Sequence, residues 1–403
     1  MASSVGDRFS VLDRAGLRFR FAVAALLGLI ALGYAAAHYM EVEGHHVTGM
    51  TNQIVWGTPH VFAVFLIVAA SGALNVASLA SVFGIARYKP LARLSGLLAI
   101  ALLLGGLVVL VLDLGRPERL IVAMTYYNFK SIFAWNIFLY TGFIVIAVAY
   151  LWMHFEPRMG VYVKPVGIGA FVWRIVLTTG TGSIFGFLVA REGYDAAIMA
   201  PLFVVMSLVF GTAAFLLFAM AVFRWSGAAL DTQVVTKLAN LLGIFVAASL
   251  YLTAIYHLTN LYITEHHGFE RFLLLDGGVH TTLFWLVQVA LGGLLVFAVL
   301  WTPLGGPPRR KAVVASILAL IGGAAQVYVI IIGGQAYPLE MFPGMDASSS
   351  FFDGVVAHYS PSLPEVGLGL GGVGLALLIA LVGLRVLPFV PDRAAGDVAD
   401  RQG

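Results

Sequence analysis

The chain has 403 residues, and Asp, Glu, Lys and Arg make up 11% of them, whereas soluble domains carry roughly 25%. The apolar fraction is 60%, the mean hydropathy is +0.95 and the formal net charge is +3. This composition excludes a soluble protein, and no nucleic-acid partner is expected. Because the chain has no cysteine, it cannot form a disulfide, attach a c-type haem or hold an iron–sulfur cluster on its own thiolates.

Ten apolar runs follow one another along the chain, each close to the twenty residues that a helix needs to cross about 30 Å of hydrocarbon. They predict an all-α integral membrane protein with about ten transmembrane helices. The membrane domain is expected over residues 21–388, between an amino-terminal segment at 1–20 and a carboxyl-terminal tail at 389–403. The first run is too long for a signal-peptide core, so a retained anchor is expected. The predicted spans are 21–40, 59–83, 94–114, 132–153, 166–190, 201–223, 235–258, 281–301, 313–332 and 366–387.

Lys and Arg are divided unevenly between the two sides of this predicted topology. Seventeen of the 23 lie on the side of the amino terminus and five on the opposite side, while Arg174 lies within the fifth span. The positive-inside rule therefore predicts that both termini are cytoplasmic. The opposite, outer side holds 13 of the 20 acidic residues, which indicates either solvated loops or a docking surface for a partner. Arg174 either extends toward the cytoplasm or has a role within the membrane.

Ionisable and amide side chains collect at the outer ends of five predicted spans. His60 and His280 lie where the second and eighth spans enter from outside, whereas Asp113, His257 and Gln335 lie where the third, seventh and ninth spans emerge. The aromatic and histidine belt of membrane interfaces accounts for single residues of this kind, but it does not explain why so many share one depth. A site at the outer end is therefore predicted.

The residue types at this end suit a quinone, which needs hydrogen-bond partners for its oxygens, a group that exchanges protons and an apolar slot. Histidine can give or take a proton near neutral pH. A single b haem between His60 and His257 is the alternative interpretation of the same residues. Polar side chains deeper in the spans indicate interhelical hydrogen bonds or part of a proton or water path. They are Ser71, Asn75, Ser78, Asn136, Thr178, Thr181, Ser183, Asn240, Gln288 and Gln326.

The segment VLDLGRPERL at residues 111–120 resembles the family of NrfD-like and PsrC-like membrane subunits, which includes those of polysulfide reductase, nitrite reductase systems and alternative complex III. The resemblance continues through WGTPHVFAVFLIVAASGALNVAS in the second span, YKPLARL, NFKSIFAWNIFLYTG and YSPSLPE. Asp113, Gly115, Arg116 and Pro117 match the family motif. The ten-span length is most similar to DsrP-type members, which accompany sulfite reductase, and next to HybB-type members.

The resemblance implies two four-helix bundles, formed by spans two to five and six to nine, with peripheral helices. It also implies a subunit of the bacterial inner membrane that binds menaquinone or ubiquinone near the outer face and holds no metal of its own. Electrons would pass to or from a periplasmic ferredoxin-like iron–sulfur subunit, alongside other membrane and cytochrome subunits. Such a chain would not catalyse alone.

His60 and Asp113 are the candidate proton-exchanging residues, and Arg116, His257 and His280 are candidates for quinone binding with them. Arg116 could also pair with Asp113 three residues earlier, although Gly115 and Pro117 indicate that the helix ends there. Two other classes of function stay open, a secondary transporter or proton channel and a purely structural membrane anchor. Transporters usually bind substrate at the midplane between broken helices, whereas the groups here lie at one end.

Overall fold

The computed structural model describes residues 9–12, 16–339 and 354–391. Ten helices in these ranges are long and apolar enough to cross a membrane, which confirms the predicted all-α membrane fold and its number of spans. We label them α1 to α10 in chain order. They are Leu17–Glu43, Thr58–Ser81, Ala86–Leu112, Ile132–Phe155, Pro157–Gly186, Met199–Ser226, Thr232–Tyr262, Val279–Trp301, Pro308–Ala336 and Leu363–Val386.

The helices form two four-helix bundles, α2–α5 and α6–α9, as the resemblance implied, and α6 joins them by packing on α2 and α5. The two bundles touch through glycine: a Cβ atom on Gly72 would lie 1.6 Å from the carbonyl oxygen of Ser207. The remaining helices, α1 and α10, pair with each other, and α10 also packs on α2 and α3. Gly33 and Gly371 allow this second close approach, since a Cβ on Gly33 would lie 2.6 Å from the Cα of Gly371. Small residues at such crossings are typical of membrane helices.

Several spans depart from regular α-helix. An interruption at Leu74 divides α2 into Thr58–Ala73 and Asn75–Ser81, while α3 and α5 begin with the 3₁₀ segments Ala86–Leu91 and Pro157–Tyr162. Helices α8 and α9 contain π-helical segments, which frequently occur near functional sites. These are Leu283–Leu294 and Val329–Gly333, and Gly334–Ala336 ends α9.

Helix α5 differs most from its predicted boundaries, since it begins at Pro157 and ends at Gly186 instead of spanning 166–190. Proline suits the first helical position, and the Glu156 side chain accepts a hydrogen bond from the Arg158 amide to start the segment. Short elements lie between the spans. They are the α-helical Leu120–Thr125 and His267–Arg271, the 3₁₀ turns His45–Val47, Pro117–Arg119, Thr264–His266 and Pro303–Gly305, and the π-turn Phe272–Asp276.

The alternating direction of the ten spans gives the bundle two ends. The His60 end is the one where α2 begins and α3 ends, and the terminal end is the opposite one. At the terminal end, strands β1 (Phe9–Ser10) and β2 (Val390–Pro391) pair antiparallel, so the described segments before α1 and after α10 meet. Their cytoplasmic location remains a prediction, and residues 1–8, 13–15 and 392–403 of the predicted terminal segments lie outside the described residues.

Candidate functional site

His60 and Asp113, the two predicted proton-exchanging residues, form a hydrogen-bonded pair at the His60 end. His60 lies in the first turn of α2, and Asp113 directly follows the last residue of α3. His60 Nδ1 is 2.7 Å from Asp113 Oδ2, and the Asp113 side chain is 1% exposed while that of His60 is 18% exposed. An ionised carboxylate only accepts hydrogen bonds, so the pairing assigns the Nδ1 proton to the histidine and leaves Nε2 with a free lone pair.

The second carboxylate oxygen of this pair is also relevant to binding. Asp113 Oδ1 is buried and has no hydrogen-bond partner among the described residues. Buried polar atoms in proteins are nearly always paired, with protein, water or ligand. The pair therefore has two acceptors without a described partner, His60 Nε2 on a ring that is 18% exposed and Asp113 Oδ1 buried behind it.

Trp56 forms an aromatic wall beside His60. The two rings stack with centroids 5.8 Å apart, and Trp56 also contacts Phe133 at 6.0 Å and Tyr194 at 6.4 Å. Phe133 lies on α4 and is 44% exposed, so the aromatic wall continues to the lateral surface of the bundle, which would face the bilayer. A flat apolar ring arriving from the bilayer could stack here within reach of the His60–Asp113 pair.

Gln335, at the end of α9, fixes the backbone on which Trp56 lies. Its Oε1 accepts hydrogen bonds from the amides of Val55 and Trp56, both at 3.0 Å, and its Nε2 donates to the Trp56 carbonyl oxygen at 3.0 Å. Arg191, from the segment between α5 and α6, donates to the carbonyl oxygens of Gln53 at 2.7 Å and Gln335 at 3.1 Å. Both bundles therefore support the wall.

Arg116 is not placed as expected. Its side chain is exposed, and within the described part of the chain it makes no ion pair with Asp113, which bonds to His60 instead. The reason is local: α3 ends at Leu112, and Gly115 adopts a left-handed φ of +67°, which turns the chain before Arg116. The predicted pairing of Arg116 with Asp113 is wrong, and a role in quinone binding stays a prediction.

His257 lies in a second cluster, in the second bundle. Its Nδ1 is 2.8 Å and 3.0 Å from the two carboxylate oxygens of Glu270, which is fully buried. Asn260 donates to Glu270 Oε1 at 2.9 Å and contacts His266 at 3.1 Å. The described contacts of His257 and His60 share no residue. Each imidazole is thus oriented by its own carboxylate, an arrangement that does not favour one haem held between them.

Two small cavities extend from this second cluster into the bundle. The first, of about 20 Å³, is lined by His257, Thr253, Gln288 and Gln326 among apolar side chains. The second has a similar volume of about 20 Å³ and shares Gln288 and Gln326 with the first, adding Ser249. Gln288 Oε1 is buried without a described partner, whereas Gln326 Nε2 donates to Thr253 Oγ1 at 3.2 Å. Each cavity has room for about one water molecule and is too small for a quinone.

His280 belongs to neither pair. It is buried between Phe272 and Tyr328, with ring centroids 5.7 Å and 5.9 Å away, and its Nδ1 has no described hydrogen-bond partner. The Tyr328 ring lies 6.3 Å from that of Tyr359, which contacts the start of α2. His280 therefore lies between the two clusters, and its proposed part in quinone binding stays a prediction.

The deeper polar residues mostly join helices, as their positions suggested. Arg174 is buried and donates to Asn75 Oδ1 at 3.2 Å, so it does not extend to the membrane surface. Asn136 donates to the Gly180 carbonyl oxygen at 3.1 Å across the first bundle. Asn240 is instead exposed on α7, which does not agree with the deep position inferred for it.

Two buried acids of the site were not singled out by sequence reasoning. Glu270 and Glu365 are both 0% exposed, but both lie in segments whose sequences resemble acidic loops. A signal was present for Glu270, since Phe269 and Phe272 flank the Glu270–Arg271 pair and three leucines follow, and for Glu365, since Ser362 precedes it with the spacing of a capping box.

Known proteins resemble this chain over nearly its whole length. A family model described as "Polysulphide reductase, NrfD" matches residues 46–338. An Archaeoglobus fulgidus protein described as an Hdr-like menaquinol oxidoreductase integral membrane subunit is 29% identical over 97% of this chain and 99% of its own length. A putative membrane subunit of dimethyl sulfoxide reductase from Halobacterium salinarum is 29% identical, with 97% and 96% covered. A selenate reductase subunit from Mesobacillus selenatarsenatis is 24% identical, with 90% and 92% covered.

Proposed function

The chain belongs to the NrfD family of polysulphide reductase proteins, and on this premise we propose that it is a quinone-reacting membrane subunit of an oxidoreductase complex. Quinol or quinone reacts at the His60–Asp113 pair. The observation that carries this proposal is the 2.7 Å hydrogen bond between His60 Nδ1 and Asp113 Oδ2, with the second carboxylate oxygen buried and without a partner among the described residues. The name of the Archaeoglobus relative, a menaquinol oxidoreductase subunit, supports a quinone as the substrate.

His60 is the proton-exchanging residue in this proposal. With Nδ1–H donated to Asp113, Nε2 accepts a hydrogen bond from a quinol hydroxyl and takes the first of the two quinol protons as the first electron leaves. His60 is 18% exposed, so the imidazolium releases this proton to water and then takes the second proton as the second electron leaves. Asp113 holds the imidazole in this tautomer and stabilises the imidazolium that forms, as carboxylates do in other enzymes. Trp56 stacks on the substrate ring and excludes water from one side. In the direction of quinone reduction the same groups return the proton.

In this proposal the two electrons pass to another protein, since the chain has no cysteine with which to hold an iron–sulfur cluster. We assign that role to a ferredoxin-like iron–sulfur subunit docked at the His60 end, with further membrane and cytochrome subunits in the complex. This places the His60 end in the periplasm and both termini in the cytoplasm of a bacterial inner membrane. A place in sulfur metabolism, of the DsrP type, belongs to the same proposal, and the quinone is menaquinone or ubiquinone.

A second candidate function, proton transfer through α6–α9, is favoured by the His257–Glu270 pair and the two adjoining cavities. Buried polar atoms beside water-sized cavities normally bind ordered water. Gln288 and Gln326 line both cavities, so waters there would connect the cluster with the middle of the bundle. In this role the chain would move protons in addition to reacting with quinol.

Substitution of His60→Gln in the purified complex tests the quinol site. Glutamine keeps the polarity and approximate size but cannot titrate, so the quinol-dependent rate should fall by about tenfold to ten-thousandfold, the range for general acid–base groups. The matched control is His267→Gln, an exposed histidine at the same end whose ring bonds to the Leu261 carbonyl oxygen at 2.9 Å. An unchanged rate would remove His60 from the site, and a b-type haem band lost in the variant would make it a haem ligand instead.

A further inference from the structure

Helix α2, which carries His60, begins without a capping side chain of its own. The residue before the helix is Gly57, which has no side chain with which to accept a hydrogen bond from the first turn. The first amides of a helix have no partner within it and need one from elsewhere. Here the Thr58 amide donates to Tyr359 Oη at 2.6 Å, and the Thr58 hydroxyl lies 2.8 Å from the same oxygen. The cap of α2 is thus supplied by the segment that leads into α10.

Glu365, in the first turn of α10, holds Tyr359 in this position. Its fully buried carboxylate accepts hydrogen bonds from Tyr359 Oη at 2.5 Å, the Gly49 amide at 2.9 Å and the Ser362 amide at 2.8 Å. Burial raises the pKa of the Tyr359 hydroxyl, and the hydrogen bond to Glu365 raises that pKa further. The hydroxyl therefore stays protonated and remains a donor to the carboxylate at working pH.

Gly57 is required for this contact. A Cβ atom at Gly57 would lie 2.3 Å from Glu365 Oε1 and 2.9 Å from Tyr359 Oη, so any side chain there would separate α2 from the carboxylate. His60 follows Thr58 by two residues in the same helical turn. The height and rotation of this turn, and with them the position of the His60 ring against Asp113, are therefore set by α10.

We propose that Tyr359 and Glu365 are positioning residues for His60, although both lie outside residues 46–338, the part that the family model matches. The inference rests on the proposed function, because it assigns these residues a role in quinol binding. With this role for Tyr359 and Glu365, α10 belongs to the site and is more than a membrane anchor at the edge of the bundle.

Titration of the purified chain with the menaquinol analogue 2-heptyl-4-hydroxyquinoline N-oxide, followed by quenching of its tryptophan fluorescence, tests this role. Tyr359→Phe removes only the hydroxyl, and we expect the Kd to rise by about tenfold, the effect of one lost hydrogen bond. The pH midpoint of binding should move as well. The matched control is Ser362→Ala, which removes the cap on the Glu365 amide at 3.4 Å but leaves the Tyr359–Thr58 contact in place.

Tyr359→Phe and Ser362→Ala should both lower the Tm. Only Tyr359→Phe should change the Kd and the pH midpoint of binding, and Ser362→Ala should leave both at the parent values. If Tyr359→Phe also leaves them unchanged while His60→Gln weakens binding, the positioning role is wrong and the quinol site stands. Equal weakening in Tyr359→Phe and Ser362→Ala would assign the effect to general stability and overturn the inference. If His60→Gln binds the analogue like the parent, the proposed function itself fails.

Discussion

Asp113 determines which nitrogen of His60 is available to a substrate. Its Oδ2 accepts the Nδ1 proton at 2.7 Å, and its own side chain is 1% exposed, so the carboxylate has little water to stabilise it apart from this partner. Such a buried acceptor fixes both the tautomer and the orientation of the ring. The acid and the imidazole therefore act as a unit, and the loss of either should disable proton exchange.

Asp113→Asn is expected to lower the quinol-dependent rate of the complex by at least about 100-fold. The asparagine amide can donate to Nδ1 and so place the histidine proton on Nε2, where it blocks acceptance of a quinol proton; the same exchange in a serine protease costs about 10⁴ in kcat. The control is Asp276→Asn, an acid 59% exposed and paired with Arg271 at the same end. A rate in Asp113→Asn that matches this control would show that the pair is not the reacting site.

Arg116→Lys should leave assembly and the quinol rate within about twofold of the parent, because exposed charges contribute little when they make no specific pair. This expectation follows from the exposed side chain and from the bonding of Asp113 to His60. The measurement is the quinol-dependent rate of the purified complex together with the set of proteins that copurify with it. A large loss of activity or of one of those proteins would assign Arg116 to a geometrically specific contact with a partner.

At the scale of elements, the turn that follows α3 places Asp113 opposite α2. Gly115 adopts a φ of +67°, and a Cβ there would lie 2.9 Å from the His45 ring. Gly115→Ala should therefore lower the free energy of unfolding by about 1–2 kcal/mol, the cost of a left-handed conformation for a residue with a side chain. Thermal or denaturant unfolding measures it. The control is Gly160→Ala, where a Cβ meets nothing described within 4 Å, and its free energy of unfolding should stay close to that of the parent. Equal losses of stability in Gly115→Ala and Gly160→Ala would contradict this role of Gly115.

The second bundle supplies a different test. Gln288 lines both cavities beside the His257–Glu270 pair, and its buried Oε1 has no hydrogen-bond partner in the described part of the chain. If waters there transfer protons, Gln288→Leu should lower the number of protons moved across a liposome membrane per quinol while leaving the quinol rate close to that of the parent. Gln233→Leu, at an exposed position at the start of α7, is the control. An unchanged proton count in Gln288→Leu would restrict the chain to quinol chemistry.

The spans themselves were predictable because the hydrocarbon core demands about twenty apolar residues, and runs of that length are directly visible. The pairing of helix faces was not, since membrane helices are apolar on all sides and no periodic stripe marks the buried face. The same limit applies within the site. The family motif indicated Asp113, and the position of His60 at the end of a span indicated His60. The burial of Glu270 and Glu365, which are both 0% exposed, follows from how the helices pack and was not predicted from the sequence.

At the scale of the whole molecule, two bundles carry two separate His–carboxylate pairs at one end. The first pair borders an aromatic wall that reaches the lateral surface of the bundle through Phe133, and the described surroundings of the second pair include a water-sized cavity lined by His257. The His60 side chain is 18% exposed, whereas the side chains of His257 and Glu270 are 9% and 0% exposed, so the first pair is the more accessible of the two to a substrate from the bilayer. We therefore propose quinol chemistry at α2–α5 and proton transfer through α6–α9.

The orientation of the molecule can be tested by thiol labelling, which is unusually clean because the chain has no cysteine. In right-side-out vesicles, Glu118→Cys at the His60 end should react with an impermeant maleimide, and Leu304→Cys at the terminal end should react only after permeabilisation. Ser362→Cys should behave like Glu118→Cys. Thiols at Ser3 and Ser350, two further positions for which the positive-inside rule predicts opposite sides, lie outside the described residues. The reverse labelling pattern would invert the topology.

Photolabelling with an azido-naphthoquinone tests the central claim most directly, because it reports where a quinone binds without requiring the partner subunits. The purified chain is irradiated with the probe and digested, and the labelled peptides are identified by mass spectrometry, with and without excess menaquinol. The account predicts label on residues 54–62 and 127–138, around Trp56, His60 and Phe133, and loss of that label when menaquinol is added. Label displaced by menaquinol from peptides containing His257 or Glu270, with none near His60, would contradict the assignment of the quinol site.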